Sequence, residues 1–296
     1  MSTLPHVRDM QPSSNPPAKA RPASRTTSTP GVLSHLQGWW FALAQRLGQS
    51  PKPIPEQLWR QTLADYPFLA RLPKQDRLRL RELTGRFLMR KEFTGAHGLL
   101  VTDAMAVAIA AQACLPILHM GKNGLKLYDD FKGIVLHPGA MLARRQTTDA
   151  AGVVHFYEEV LAGEAMHGGP VTLSWQDVAA SGESAVQGHN VVIHEFVHKI
   201  DMADGGPNGC PPLASQADRK AWRAVMTPAF DRFRQQIVMA ERFGGESPWL
   251  DAYGAQSPVE FFAVTAEAYF VNRERFEQDF ADLTALFDNF FNPAGL

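Results

Sequence analysis

The sequence predicts an α+β domain: a small mixed sheet packed on one buried helix, with most of the remaining chain helical. Three observations predict it. Apolar residues recur at helical spacing through 55–115 and again through 218–291. Short β-branched and aromatic runs, bounded by turn residues, interrupt that pattern between 134 and 175. The segment from Asn190 to Ala203 is apolar on every helical face but one, so it belongs inside the protein.

Residues 1–31 are crowded with Pro, Ser, Thr and isolated basic side chains, and carry almost no apolar period. Such a segment buries too little surface to offset its ordering entropy, so a disordered tail is expected there. The domain is expected over 32–296, with a helical part up to about residue 120. Leu36–Leu47, with Trp39, Trp40 and Phe41, reads as an amphipathic helix lying on the domain or, alternatively, on a membrane surface. It is too short to span a bilayer. Helices are predicted over Pro55–Tyr66, Lys74–Arg90 and Thr102–Leu115, the last capped by Thr102. Strands follow at Ile134–His137, Val153–Glu159 and Val171–Trp175, and the buried helix comes after the last of them. Asp218–Phe243, Pro258–Asn272 and Phe276–Phe291 complete the helices.

Composition narrows the function classes. A chain of 296 residues with 45% hydrophobic residues holds one sizeable core or two small ones. A net charge of −1 gives no global electrostatic case for nucleic acid or for an anionic membrane. The two cysteines, Cys114 and Cys210, form no C-x-x-C pair and no disulfide framework. Together with the lack of a secretory h-region, they point to a reducing, cytoplasmic setting.

The chemistry is concentrated in Asn190-Val-Val-Ile-His194-Glu195-Phe-Val-His198-Lys-Ile-Asp201. Two histidines four residues apart share one helix face, where both imidazoles can hold one Zn²⁺. Glu195 lies roughly 100° around the helix from His194, beside the ion, where it can take a proton from water held there. Asn190 is the expected N-cap and Gly205-Gly206 the stop. The competing structural role, core histidines bonded to carbonyls, leaves a buried Glu195 and Asp201 unexplained.

A catalytic zinc site needs a third protein ligand and an open position. In Ser257-Pro258-Val-Glu260, proline opens a second helix and Ser257-x-x-Glu260 has the form of a capping box, which needs no metal. Glu267 lies two turns further on the same face. Asp201, on the histidine helix itself, suits an orienting bond to an imidazole. Spacing leaves Glu260, Glu267 and Asp201 open as ligands.

The stretches His194-Glu-Phe-Val-His-Lys-Ile-Asp201 and Ser257-Pro-Val-Glu-Phe-Phe-Ala-Val264 resemble the Mlc titration factor A family of bacterial zinc peptidases. The resemblance continues through Lys91–Gly95, Ala108–Cys114, Ile134–Pro138, Gly163-Glu-Ala165 and Gly169–Trp175, and spans roughly residues 38–290. It implies a zincin-like metallopeptidase domain of the gluzincin type, with Glu260 as the third ligand. It also implies an oxyanion-stabilising role for Tyr253, which lies seven residues before that glutamate; the alternative is a packing tyrosine in a loop. His155 matches a family histidine that approaches the metal, and as a fourth ligand it would close the site into a latent state. The alternative there is an exposed strand histidine.

The expected activity is hydrolysis of peptide bonds, aminopeptidase-like on short peptides, with one Zn²⁺ and with Glu195 as general base. An exposed sheet edge within residues 152–175 is expected to bind the extended peptide. The family name implies a second reading, a regulator that binds a DNA-binding Mlc-like repressor. A purely structural zinc site is disfavoured because it has no use for Glu195.

Overall fold

The computed structural model describes residues 53–148 and 154–293, with the side chains of Lys122, 142–148 and 154–161 left aside. The tail and Leu36–Leu47 lie outside the described residues. Three helices open the fold: α1 (Glu56–Asp65), the single turn α2 (Pro67–Ala70) and α3 (Lys74–Leu88). After strand β1 (Glu92–Gly95), the Ala-rich α4 (Asp103–Cys114) is buried along nearly its whole length. Thr102 caps it, its side chain accepting from Met105 N at 3.3 Å.

Strands β2 (Gly133–His137), β3 (Met141–Thr148), β4 (Val154–Leu161), β5 (Gly163–Ala165) and β6 (Val171–Ser174) come next. One sheet has the order β1-β2-β6-β5. Its first three strands are parallel, with Ile134 opposite both Phe93 and Val171. Strand β5 pairs antiparallel to β6, Gly163 opposite Leu173, and forms one edge. Strands β3 and β4 make a separate antiparallel hairpin. The sheet is therefore mixed, and alternate residues of β2 and β6 (Ile134, Leu136, Val171, Leu173) are fully buried.

Helix α5 (Trp175–Ser184) intervenes before the histidine helix α6 (Val191–Asp201). Residues 216–243 form α7, opened by the Ser215/Asp218 capping box and closed by Gly244 in the left-handed region at φ 71°. Helix α8 (Pro258–Val271) is followed by α9 (Arg273–Asp279) and α10 (Ala281–Phe291). Helix α6 packs against β5, β6, α4 and α8. Behind α8, Trp222, Phe262, Tyr269, Phe276, Phe287 and Phe291 form a continuous aromatic cluster with ring separations of 5.3–6.3 Å.

The α+β class and the mixed sheet beside the histidine helix agree with the sequence expectation, and several boundaries do not. Strands β1, β3 and β5 and helix α5 were not anticipated, so the histidine helix does not directly follow the last strand. The single helix expected over Phe276–Phe291 is two, broken at Phe280, whose backbone (φ −136°, ψ 49°) leaves the helical region. Among the described residues no helix is long and apolar enough to cross a membrane.

Candidate metal centre

Helix α6 starts where the sequence places it. Asn190 Oδ1 accepts from Ile193 N at 2.9 Å, and its Nδ2 donates to Gln112 Oε1 of α4 at 2.7 Å. The cap is thus also a buried anchor. From this start, His194 and His198 emerge one turn apart with their Nε2 atoms 3.0 Å from each other.

Helix α8 supplies the third group. Ser257 Oγ accepts from Glu260 N at 3.2 Å, so the helix is capped as expected. The Glu260 carboxylate, however, does not complete a capping box. Its Oε2 lies 3.1 Å from His194 Nε2 and 3.2 Å from His198 Nε2. Donor atoms held at zinc's 2.0–2.1 Å in a tetrahedron stand about 3.3–3.4 Å apart, so the three measured separations suit a single small divalent ion. His194, His198 and Glu260 form the one His/Cys/Asp/Glu group of this kind among the described residues.

The two remaining carboxylates do other work. Glu267 Oε1 stands 2.6 Å from His194 Nδ1, and its Oε2 accepts from Asn190 N at 2.5 Å. It orients the imidazole rather than joining the triad, which corrects its candidacy as a ligand. Asp201 accepts from the backbone N–H groups of Asn208, Gly209 and Cys210 at 2.8–3.0 Å. It ties down the loop after α6; these bonds replace the expected bond to an imidazole.

Glu195 is only 4% exposed, and its Oε2 is one of three buried side-chain polar atoms without a hydrogen-bond partner among the described residues. Burial raises its pKa, with His194 and His198 opposing that rise. Burial would likewise raise Glu260, but the two imidazoles outweigh it and hold that carboxyl well below the usual range. Burial pushes His194 down, yet the surrounding charges of Glu267, Glu260 and Glu195 carry it well above an ordinary histidine. This is a pocket organised to hold positive charge.

The backbone of β5 closes over Glu195. A Cβ on Gly163 would stand 2.6 Å from Glu195 Oε1, so any side chain there would displace that carboxylate. Sequence reasoning registered Gly163 only through a family resemblance; the close approach itself left no local signal. Cavities of about 420 Å³ and about 330 Å³ adjoin the triad, and both are bounded by Gly163, His194, Glu195 and Tyr253. The Tyr253 ring centre lies 6.0 Å from that of His194. His155 falls on β4 opposite Thr147; its side chain lies outside the described residues.

Two imidazoles and a carboxylate converging from two helices, with a buried free carboxylate alongside, make up the side-chain set of a metallopeptidase. A family model for the glucose-regulated metallo-peptidases M90 matches residues 40–292, and the chain belongs to that family. It is 33% identical over 248 residues to proteins named Mlc titration factor A from Yersinia pestis and Yersinia pseudotuberculosis, covering 83% of this chain and 88% of theirs. The uncharacterized protein slr2042 of Synechocystis sp. is 32% identical over 256 residues, 86% of this chain and 90% of its own length.

Proposed function

We propose that this chain is a zinc-dependent peptidase of zincin-like architecture that removes residues from the amino end of short peptides. The observation that carries this reading is the convergence of His194 Nε2, His198 Nε2 and Glu260 Oε2 within 3.0–3.2 Å, next to the unpartnered Glu195 Oε2. His194, His198 and Glu260 would hold the ion. A bound zinc supplies Lewis acidity, polarising a carbonyl and making water easier to deprotonate near neutral pH.

The protein's own groups do the rest. Glu195 takes the proton of the attacking water and delivers it to the leaving amine; its raised pKa suits a group that must both accept and return a proton. Glu267 fixes the His194 ring by holding Nδ1, leaving Nε2 turned toward Glu260. Tyr253, on the rim shared by both cavities, is the proposed oxyanion donor. The edge strand β5 offers its backbone to an extended substrate. Two buried, unbridged cysteines favour the cytoplasm as the compartment.

The test is Glu195→Gln, assayed on an amino-acid anilide alongside metal analysis. We expect one zinc per chain retained and turnover reduced by about 10²–10⁴. Wild-type turnover in that variant sinks the mechanism. The name of the Yersinia relatives favours a second reading, in which the chain binds a DNA-binding repressor of the Mlc type. Co-purification of such a repressor equally with wild type and Glu195→Gln would support it independently of hydrolysis.

A further inference from the structure

Helix α6 carries a second charged group that the chemistry above leaves unused. Lys199 is fully buried, and its Nζ donates to Asp130 Oδ2 at 2.8 Å, Met166 O at 2.6 Å and Gly169 O at 3.0 Å. The ammonium also lies 4.5 Å from the centre of the Phe131 ring. A buried ammonium is costly unless its hydrogens are bonded, and here three acceptors meet it. Two of them are carbonyls of the turn joining β5 to β6. The third, Asp130 Oδ2, also accepts from Gly168 N of that same turn at 3.3 Å.

Glu195 and Lys199 are four residues apart and so share one face of α6. The first meets the start of β5 at Gly163, where a Cβ would displace its carboxylate; the second holds the turn just past its end. Two fixed points define the line of a short strand. We propose that Lys199 is a positioning residue that sets the height and register of β5 over Glu195, so that a peptide backbone laid along this edge meets the catalytic carboxylate. The inference rests on the peptidase reading. The substrates that depend on Lys199 are then extended peptides long enough to pair with β5, as opposed to single amino-acid anilides.

The experiment compares Lys199→Met and Asp130→Asn with the wild-type chain, each loaded with zinc. An alanine anilide and an alanine tetrapeptide serve as substrates, with hydrogen exchange followed over residues 163–169. In Lys199→Met we expect unchanged zinc content, a KM for the tetrapeptide raised about tenfold, the loss of roughly one main-chain hydrogen bond, and little change on the anilide. Asp130→Asn should move the same way by less, and amide exchange in the turn should quicken in both. Equal losses on both substrates, or an unchanged tetrapeptide KM with unchanged exchange, overturn the proposal. Should Lys199→Met not fold, Asp130→Asn decides alone, since Asp130 is partly exposed. If wild type cleaves neither substrate, the peptidase reading fails, and unchanged exchange in the variants would separately refute the clamp.

Discussion

Glu260 and Glu267 stand seven residues apart on one helix face and do different work. Glu260 meets the Nε2 atoms of both histidines, whereas Glu267 meets Nδ1 of one and the backbone N–H of Asn190. Spacing could not separate them, because both side chains point at the same helix; only the ring atom each reaches tells ligand from orienting group. Glu267→Gln keeps the shape and removes the charge that fixes the tautomer. We expect its zinc affinity to fall about 10–100-fold, measured by competition with a chromogenic chelator, with the fold intact. An affinity equal to wild type would strip Glu267 of that role.

Helices were legible where a cap and a 3.6-residue period coincide, as at Thr102, Asn190 and Ser257. The missed strands are three or four residues long or, like β3, mostly polar: β1 is Glu-Phe-Thr-Gly and β5 is Gly-Glu-Ala. Nothing local marks them, since their stability comes from the neighbouring strand rather than from their own pattern. Helix α5 hid for a related reason, with Gly182 and two serines weakening its period; Gly182 is there because a Cβ would stand 2.0 Å from Asp65 O. The Asn190 cap is the element whose removal should cost most. Asn190→Ala leaves Ile193 N uncapped and Gln112 Oε1 without its donor, a loss of about 1–3 kcal/mol. A urea midpoint within error of wild type would show that the cap is not what starts α6.

At the scale of the whole molecule, Lys91 provides a pH test that involves none of the groups of the metal centre. Burial pushes its ammonium down from 10.5 to about 8, although Phe131 O accepts from it at 2.6 Å and the Phe131 ring lies 3.7 Å away. Between those two values the unfolded chain holds a proton that the folded chain has released. Unfolding free energy from this group therefore rises with pH, by no more than about 1.4 kcal/mol per unit. Denaturation from pH 7.5 to 10.5 should show that rise in wild type and not in Lys91→Met; parallel curves would contradict it. Neither Lys91 nor Lys199 announces its burial in the sequence, because a lysine beside apolar residues is usually solvated along one face.

His194 and Glu260 come from stretches 66 residues apart, on two helices that are brought together by the fold. Helix α6 alone offers an ion two imidazoles, and Glu260 joins them only where α8 packs against it. Binding a divalent ion at this group and docking α6 on α8 are therefore linked, and each should strengthen the other.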